Sequence, residues 1–312
     1  MDIFVDKFIK KIIDVAVKSV IDININNVNK KKKIKYKKIC FITSLYGKNL
    51  ENVDKPGIFK IDENYDYFLF TNFKPKHFNT SWTIIKTDFK NEEFFFRNNV
   101  IKSRYPKFMA WKFLKNYSNC NYNTIIYCDA FLSPDFNFNW ELIFTELNDN
   151  KLNDNKLNDN KLNFIQSLHH YDLVRNGGIY EDCKLIITAQ KDTFENISRT
   201  LSFFKKNGLG GINLKKKNYV VNTVFAYNIN CPKTTSFLQD FWDLYQCPGF
   251  TIRDQPLWNY LLLKKKLKTI IFENVILGNS KNKNKNKKFT SMKDDIFIET
   301  GDYTGHNIFS YS

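Results

Sequence analysis

The sequence predicts an α/β fold, with a central sheet flanked by helices, on three observations. Short runs rich in β-branched and aromatic residues, such as Ile39-Cys40-Phe41-Ile42-Thr43 and Thr124-Ile125-Ile126-Tyr127-Cys128, alternate with longer stretches of helical spacing. The second run ends in one acid, Asp129, and Pro134 breaks the chain five residues on, as expected of a buried strand that delivers a carboxylate to the carboxyl edge of a sheet. In open α/β sheets that edge is where ligands bind. Finally, 312 residues at 43% hydrophobic and 16% aromatic content provide for a large core and argue against disorder.

In chain order, residues 2–23 place Val5, Phe8, Ile9, Ile12, Ile13, Ala16 and Val20 at helical spacing between lysines. The pattern fits an amphipathic helix that packs on the domain, oligomerises or docks on an anionic membrane surface. A polar, basic linker follows, so residues 1–35 stand apart from a domain over 36–312. The first strand runs into a Gly47 turn, a nucleotide-facing opening with Thr43 and Tyr46 as candidate contacts. Strands are predicted at 65–72 and 82–86. A helix is predicted over 94–114, with Pro106 at a first turn or dividing two helices. Its Arg104, Lys107 and Lys112 are candidates to point cationic heads into one pocket. The polar repeat over 147–163 (Leu-Asn-Asp-Asn-Lys three times, then Leu162-Asn163) has a period of five that suits neither helix nor strand and reads as a low-complexity loop insertion. A strand ending in His169 and His170 comes next, then a helix from Gly177 to about Phe204, a strand at 220–229, and an amphipathic helix at 232–245. Arg253-Asp254-Gln255-Pro256 opens a helix over 257–263, and a late strand covers 270–277.

There are 48 basic and 32 acidic residues, a formal charge of +16, much of it in lysine runs at 30–38, 215–217, 264–266 and 281–288. Such runs form solvated tails or loops, or attract anionic partners. Nucleic acid is disfavoured as that partner, because the runs lack interleaved aromatics and no nucleic-acid motif is present. The six cysteines form no CxxC pair, which fits buried free thiols in a reducing compartment. No run of 18 apolar residues occurs, and the N-terminus lacks a signal-peptide core, so the expected location is cytoplasmic, with peripheral membrane association through the first helix.

Three groups of residues then stand in a telling order: Arg104-Tyr-Pro-Lys107 with Trp111-Lys112 before Ile126-Tyr127-Cys128-Asp129; His169-His170 before Tyr180-Glu181; and Arg253-Asp254-Gln255 after an aromatic Phe-Trp helix. Over roughly residues 36–278 the set resembles the glycosyltransferase-like family once classed as a domain of unknown function, of the plant pollen, seed-mucilage and bacterial polysaccharide-cluster type. The resemblance implies a GT-A-like nucleotide-binding domain with a mixed central sheet flanked by helices. It further implies transfer of a sugar from a nucleotide-sugar donor to a glycan or glycoprotein acceptor, assisted by Mn2+ or Mg2+. Asp129 would take the place of the first aspartate of Asp-x-Asp. The second is missing from Asp129-Ala130-Phe131, with Asp135 and His306 as the other candidate metal ligands.

Glycosyl transfer needs positive charge against the diphosphate, a held sugar and, for inversion, a base near the acceptor hydroxyl. Asp129, Arg104 and Lys107 are assigned to the donor; Asp254 and Glu181 to acid–base chemistry; His169, His170, Arg253 and Gln255 to substrate. Blander roles are open for each. Asp254 at a loop-to-helix junction can serve as a cap, and two adjacent histidines on a strand face opposite ways. An inactive sugar-binding or scaffold domain is the alternative that the missing second aspartate favours.

Overall fold

The protein is described here from a computed structural model covering residues 37–87, 99–114, 122–148, 161–169, 172–209, 219–271 and 297–299. The segment 2–23, His170, the interior of the repeat and His306 lie outside the described residues.

The strand runs form a seven-stranded sheet. Its members are β1 (Ile39–Leu45), β2 (Asp66–Thr71), β3 (Thr83–Lys86), β4 (Thr124–Cys128), β6 (Lys161–Leu168), β7 (Val220–Asn228) and β8 (Lys268–Ile271), in the order β3-β2-β1-β4-β7-β6-β8. The first four strands pair in parallel. β7 alone runs the other way, antiparallel to both β4 and β6, while β6 and β8 are parallel, so the sheet is mixed. A separate antiparallel pair joins β5 (Leu132–Pro134) to β9 (Phe297–Glu299). From β1 the chain steps outward to β2 and β3, then returns to place β4 on the other side of β1. That reversal opens a crevice beyond the carboxyl ends of β1 and β4.

Helices cover both faces because the strand side chains alternate between them. On one face α1 (Asn99–Leu114), α3 (Asp172–Thr188), α4 (Phe194–Phe204), α5 (Pro232–Tyr245) and α6 (Asp254–Lys264) pack against Cys40, Ile42, Ile125, Tyr127, Phe164 and Phe225. Trp258 centres this core, in ring contact with Phe108, Phe164, Phe225, Phe237 and Phe241. Truncating such a ring costs about 3–5 kcal/mol. On the other face α2 (Glu141–Asn148) seats Trp140, Ile143 and Leu147 against Phe41, Ile126 and Ile165.

Three local expectations change. α1 continues through Pro106, which is buried inside the helix rather than at its first turn. The helix expected over 177–204 is two, α3 and α4, separated by a turn in which Gln190 adopts φ 53° and Thr193 caps α4 by accepting from the Asn196 N–H. Within α3, Gly178 (φ 66°, ψ −147°) occupies a region essentially closed to other residues and re-aims the helix that carries Asp182. The repeat is also not all loop. Leu147 lies in the last turn of α2 and Leu162 in β6, both buried, and Asn163 donates to the Leu147 carbonyl at 3.0 Å.

Candidate active site

Asp129 follows β4 directly and is pinned at its backbone: its N–H donates to the Thr223 carbonyl, and its carbonyl accepts from Leu132, each at 2.9 Å. The Tyr127 hydroxyl donates to Asp129 Oδ1 at 2.8 Å, and Lys107 Nζ stands 3.7 Å from the same oxygen. Lys107 lies over the Tyr127 ring at 4.7 Å and reaches Asp254 Oδ2 at 3.2 Å. Asp254 Oδ1 accepts from Arg104 Nε at 3.4 Å, and Asn222 Nδ2 donates to Oδ2 at 3.3 Å. Arg104 and Lys107, three apart on α1, thus share one face and one partner. Lys112, five residues beyond Lys107, is turned about 140° around the helix and lies near Asp243 instead.

The four charges form a compact set of two cations and two carboxylates. Side-chain exposure grades them: 3% for Lys107, 6% for Asp254, 15% for Arg104 and 28% for Asp129. Asp129 and Arg104 therefore form the mouth, and Lys107 with Asp254 the floor. Burial pushes the Asp254 carboxyl upward, but Lys107, Arg104 and Arg253 outweigh it and hold the group far below the usual carboxylate range. Burial also works against the Arg104 charge, and Asp254 more than offsets it. Burial draws the Lys107 ammonium down, opposed by Asp254 and Asp129. Burial and then Asp129 push the Tyr127 hydroxyl well up, so it remains a donor.

A second polar group adjoins the first. Asp182 Oδ2 accepts from the Tyr219 hydroxyl at 2.7 Å and from Gln255 Nε2 at 3.4 Å. Burial raises its proton affinity, against Tyr219, Arg253 and Gln255. His169, at the end of β6, is buried with its ring 6.0 Å from Tyr219. Gln166 of β6 ties the first group to the core, donating to Asn222 at 2.9 Å and accepting from Trp258 Nε1 at 3.1 Å.

Several sequence assignments move. Asp254 is not a helix cap: Arg253 holds that position without a side-chain bond, and the Asp254 oxygens turn to α1 and β7. Glu181 is partly exposed and pairs with Lys184 at 2.5 Å, whereas its neighbour Asp182 is buried. Ile179, Asp182, Cys183 and Ile186 recur at helical spacing, a signal that marks Asp182 as the inward acid. Thr43 is fully buried with its hydroxyl unpartnered, and Tyr46 meets Thr87. From β1 it is Ser44 that reaches the site, donating to the Ser103 carbonyl at 2.6 Å. Asn222 and Gln166 were missed by the sequence analysis, although each is an amide set among apolar residues of a strand run.

A resident divalent ion would meet few open protein oxygens in this donor set, Asp129 Oδ2 being the one without a neighbour named above. Hard cations take about six oxygen ligands. Here Asp129 Oδ1 already serves Tyr127 and Lys107, and both Asp254 oxygens serve cations or Asn222. Asp135 turns its carboxylate back on its own loop, accepting from the Asn137 N–H at 3.0 Å. Among the described residues no three His, Cys, Asp or Glu side chains stand together as a metal-holding group. The cysteines in the described residues are free thiols, and no described helix is long and apolar enough to cross a membrane. No family model matches the sequence, and comparison with curated proteins returns no match.

Proposed function

We propose that the chain is a glycosyltransferase with a GT-A-like nucleotide-binding domain, moving a sugar from a nucleotide-sugar donor to a glycan or glycoprotein acceptor. One observation carries the reading. Arg104, Asp129 and Asp254, from segments far apart in sequence, converge beside the crevice between β1 and β4, and Asp182 with Gln255 adjoins them. In the transfer, an acceptor hydroxyl oxygen bonds to the anomeric carbon, and that carbon's bond to the diphosphate oxygen breaks. The nucleoside diphosphate leaves with the electron pair.

Arg104, at the mouth and firmly charged, is suited to the negative charge that develops on the leaving group. Asp129 is the exposed carboxylate and is suited to donor hydroxyls. Asp254 is too weak a base to take the acceptor proton, since a general base works best with a pKa near the operating pH. It positions Arg104 and Lys107 instead. Asp182, beside Gln255 and Tyr219 and raised in proton affinity by burial, is the candidate proton acceptor.

A panel of nucleotide sugars, read as released nucleoside diphosphate with and without acceptor glycans, tests the reading. One donor should turn over, and Arg104→Met should lower kcat about 10²–10³-fold. The mutual pairing of Arg104 and Lys107 with Asp254 favours a second reading, a sugar-binding domain whose charge cluster is structural. Saturable donor binding without turnover would select it; neither binding nor turnover across the panel would reject both.

A further inference from the structure

We infer that Lys107, shared between Asp254 and Asp129, is a built-in counter-ion of Asp129 and bars a divalent cation from it, leaving this carboxylate to receive hydroxyl groups. The ligand's identity as a sugar donor rests on the glycosyltransferase reading; the exclusion of metal does not.

The ammonium has nowhere else to go. Its exposure is 3%, it stands 3.2 Å from Asp254 Oδ2 and 3.7 Å from Asp129 Oδ1, and it lies over the Tyr127 ring at 4.7 Å. A divalent ion ligated by either Asp129 oxygen, at about 2.0–2.6 Å, would share one carboxylate with that ammonium. Tyr127 adds a donor to the same oxygen, and Asp254 is already engaged by Arg104 and Lys107, so it cannot turn to act as a second ligand without leaving two buried cations unpaired. A carboxylate neutralised in this way still accepts hydrogen bonds from neutral donors through its remaining lone pairs. With 28% of its side chain exposed, it is open to a diol at the mouth of the site.

Mn2+ titration of the full chain without nucleotide, followed by electron paramagnetic resonance, tests this. The parent should take up no Mn2+ through Asp129: its binding should equal that of Asp129→Asn. Lys107→Met should bind Mn2+ at least 10-fold more tightly than the parent, and adding Asp129→Asn should remove the gain. Because Lys107→Met leaves a buried charge imbalance, the double variant Lys107→Met/Asp254→Asn keeps the cluster balanced, and circular dichroism reports whether each is folded. Parent binding that Asp129→Asn abolishes would overturn the inference, as would folded Lys107 variants that bind no better than the parent. With a donor identified from the panel, its affinity for the parent should be the same in EDTA and in Mn2+. Should no donor bind, the glycosyltransferase reading fails while the Mn2+ titration still decides the counter-ion.

Discussion

Asp254 and Asp182 are buried aspartates at one sheet edge whose surroundings drive them in opposite directions. Asp254 faces Lys107 and Arg104, so its native proton affinity is depressed. That contribution to stability is complete above about pH 4, where the unfolded aspartate is ionised, and is lost as pH falls below that value. Asp182 is raised by burial, so the native state holds its proton more tightly than the unfolded chain does. Its contribution is present in acid and is lost as pH rises from about 4 through the raised native value. Asp254→Asn should therefore cost about 3–5 kcal/mol at pH 7, the cost of leaving buried cations without their partner. Its effect should shrink in acid. Asp182→Asn retains an acceptor for Tyr219 and sheds a desolvated charge, so at pH 7 it should change stability by no more than about 1 kcal/mol. Urea denaturation of both variants from pH 3 to 8 checks the pair; equal losses at pH 7 would contradict the assignment of opposite environments.

At the scale of elements, the repeat separates what composition encodes from what packing adds. Its units are nearly identical in sequence, yet the first begins inside α2 with Leu147 buried, and the last enters β6 with Leu162 buried against the core. Asn148, of the same unit type, accepts from Asn228 at 2.6 Å and donates to Thr124 at 3.3 Å. Deleting one internal unit, residues 151–155, should leave stability nearly unchanged, because loop-closure entropy varies slowly with length. Leu162→Ala should cost about 2–5 kcal/mol, as the loss of a buried leucine does. Thermal melts of the two variants separate the outcomes: a large drop on deletion would mean that the interior units pack as the terminal ones do.

Across the whole molecule, a +16 charge coexists with a balanced site. The excess lies in the lysine runs; where they are described they sit at the surface, as Lys37 beside Asp66 and Lys265 beside Asp240 do. Surface charge of one sign steers anions over a distance that salt shortens, with a Debye length of about 8 Å at physiological ionic strength. Under the proposed function, the association rate of the nucleoside diphosphate should fall several-fold between low salt and about 0.5 M, while the dissociation rate, set by contacts such as Arg104, changes little. Stopped-flow fluorescence measures both. An association rate independent of salt would show that the lysine runs play no part in capture.

The strand runs, the helix over 232–245 and the position of Asp129 at the end of a sheet strand were legible in the sequence, because burial imposes apolar periodicity that composition alone displays. The shared pocket of Arg104 and Lys107 was legible too, since residues three apart on a helix share a face, but the same reading wrongly placed Lys112 with them. The direction of β7 was not legible: an apolar run fully buried in a sheet reads the same in either sense. Nor was the choice of Asp182 over Glu181, or the turning of Asp254 from cap to counter-ion. Each depended on which side chains other elements bring near, Tyr219 and Gln255 for the first, Lys107 and Arg104 for the second. A carboxylate's role follows from the charges within a few ångströms of it, and those neighbours lie tens to more than a hundred residues away along the chain.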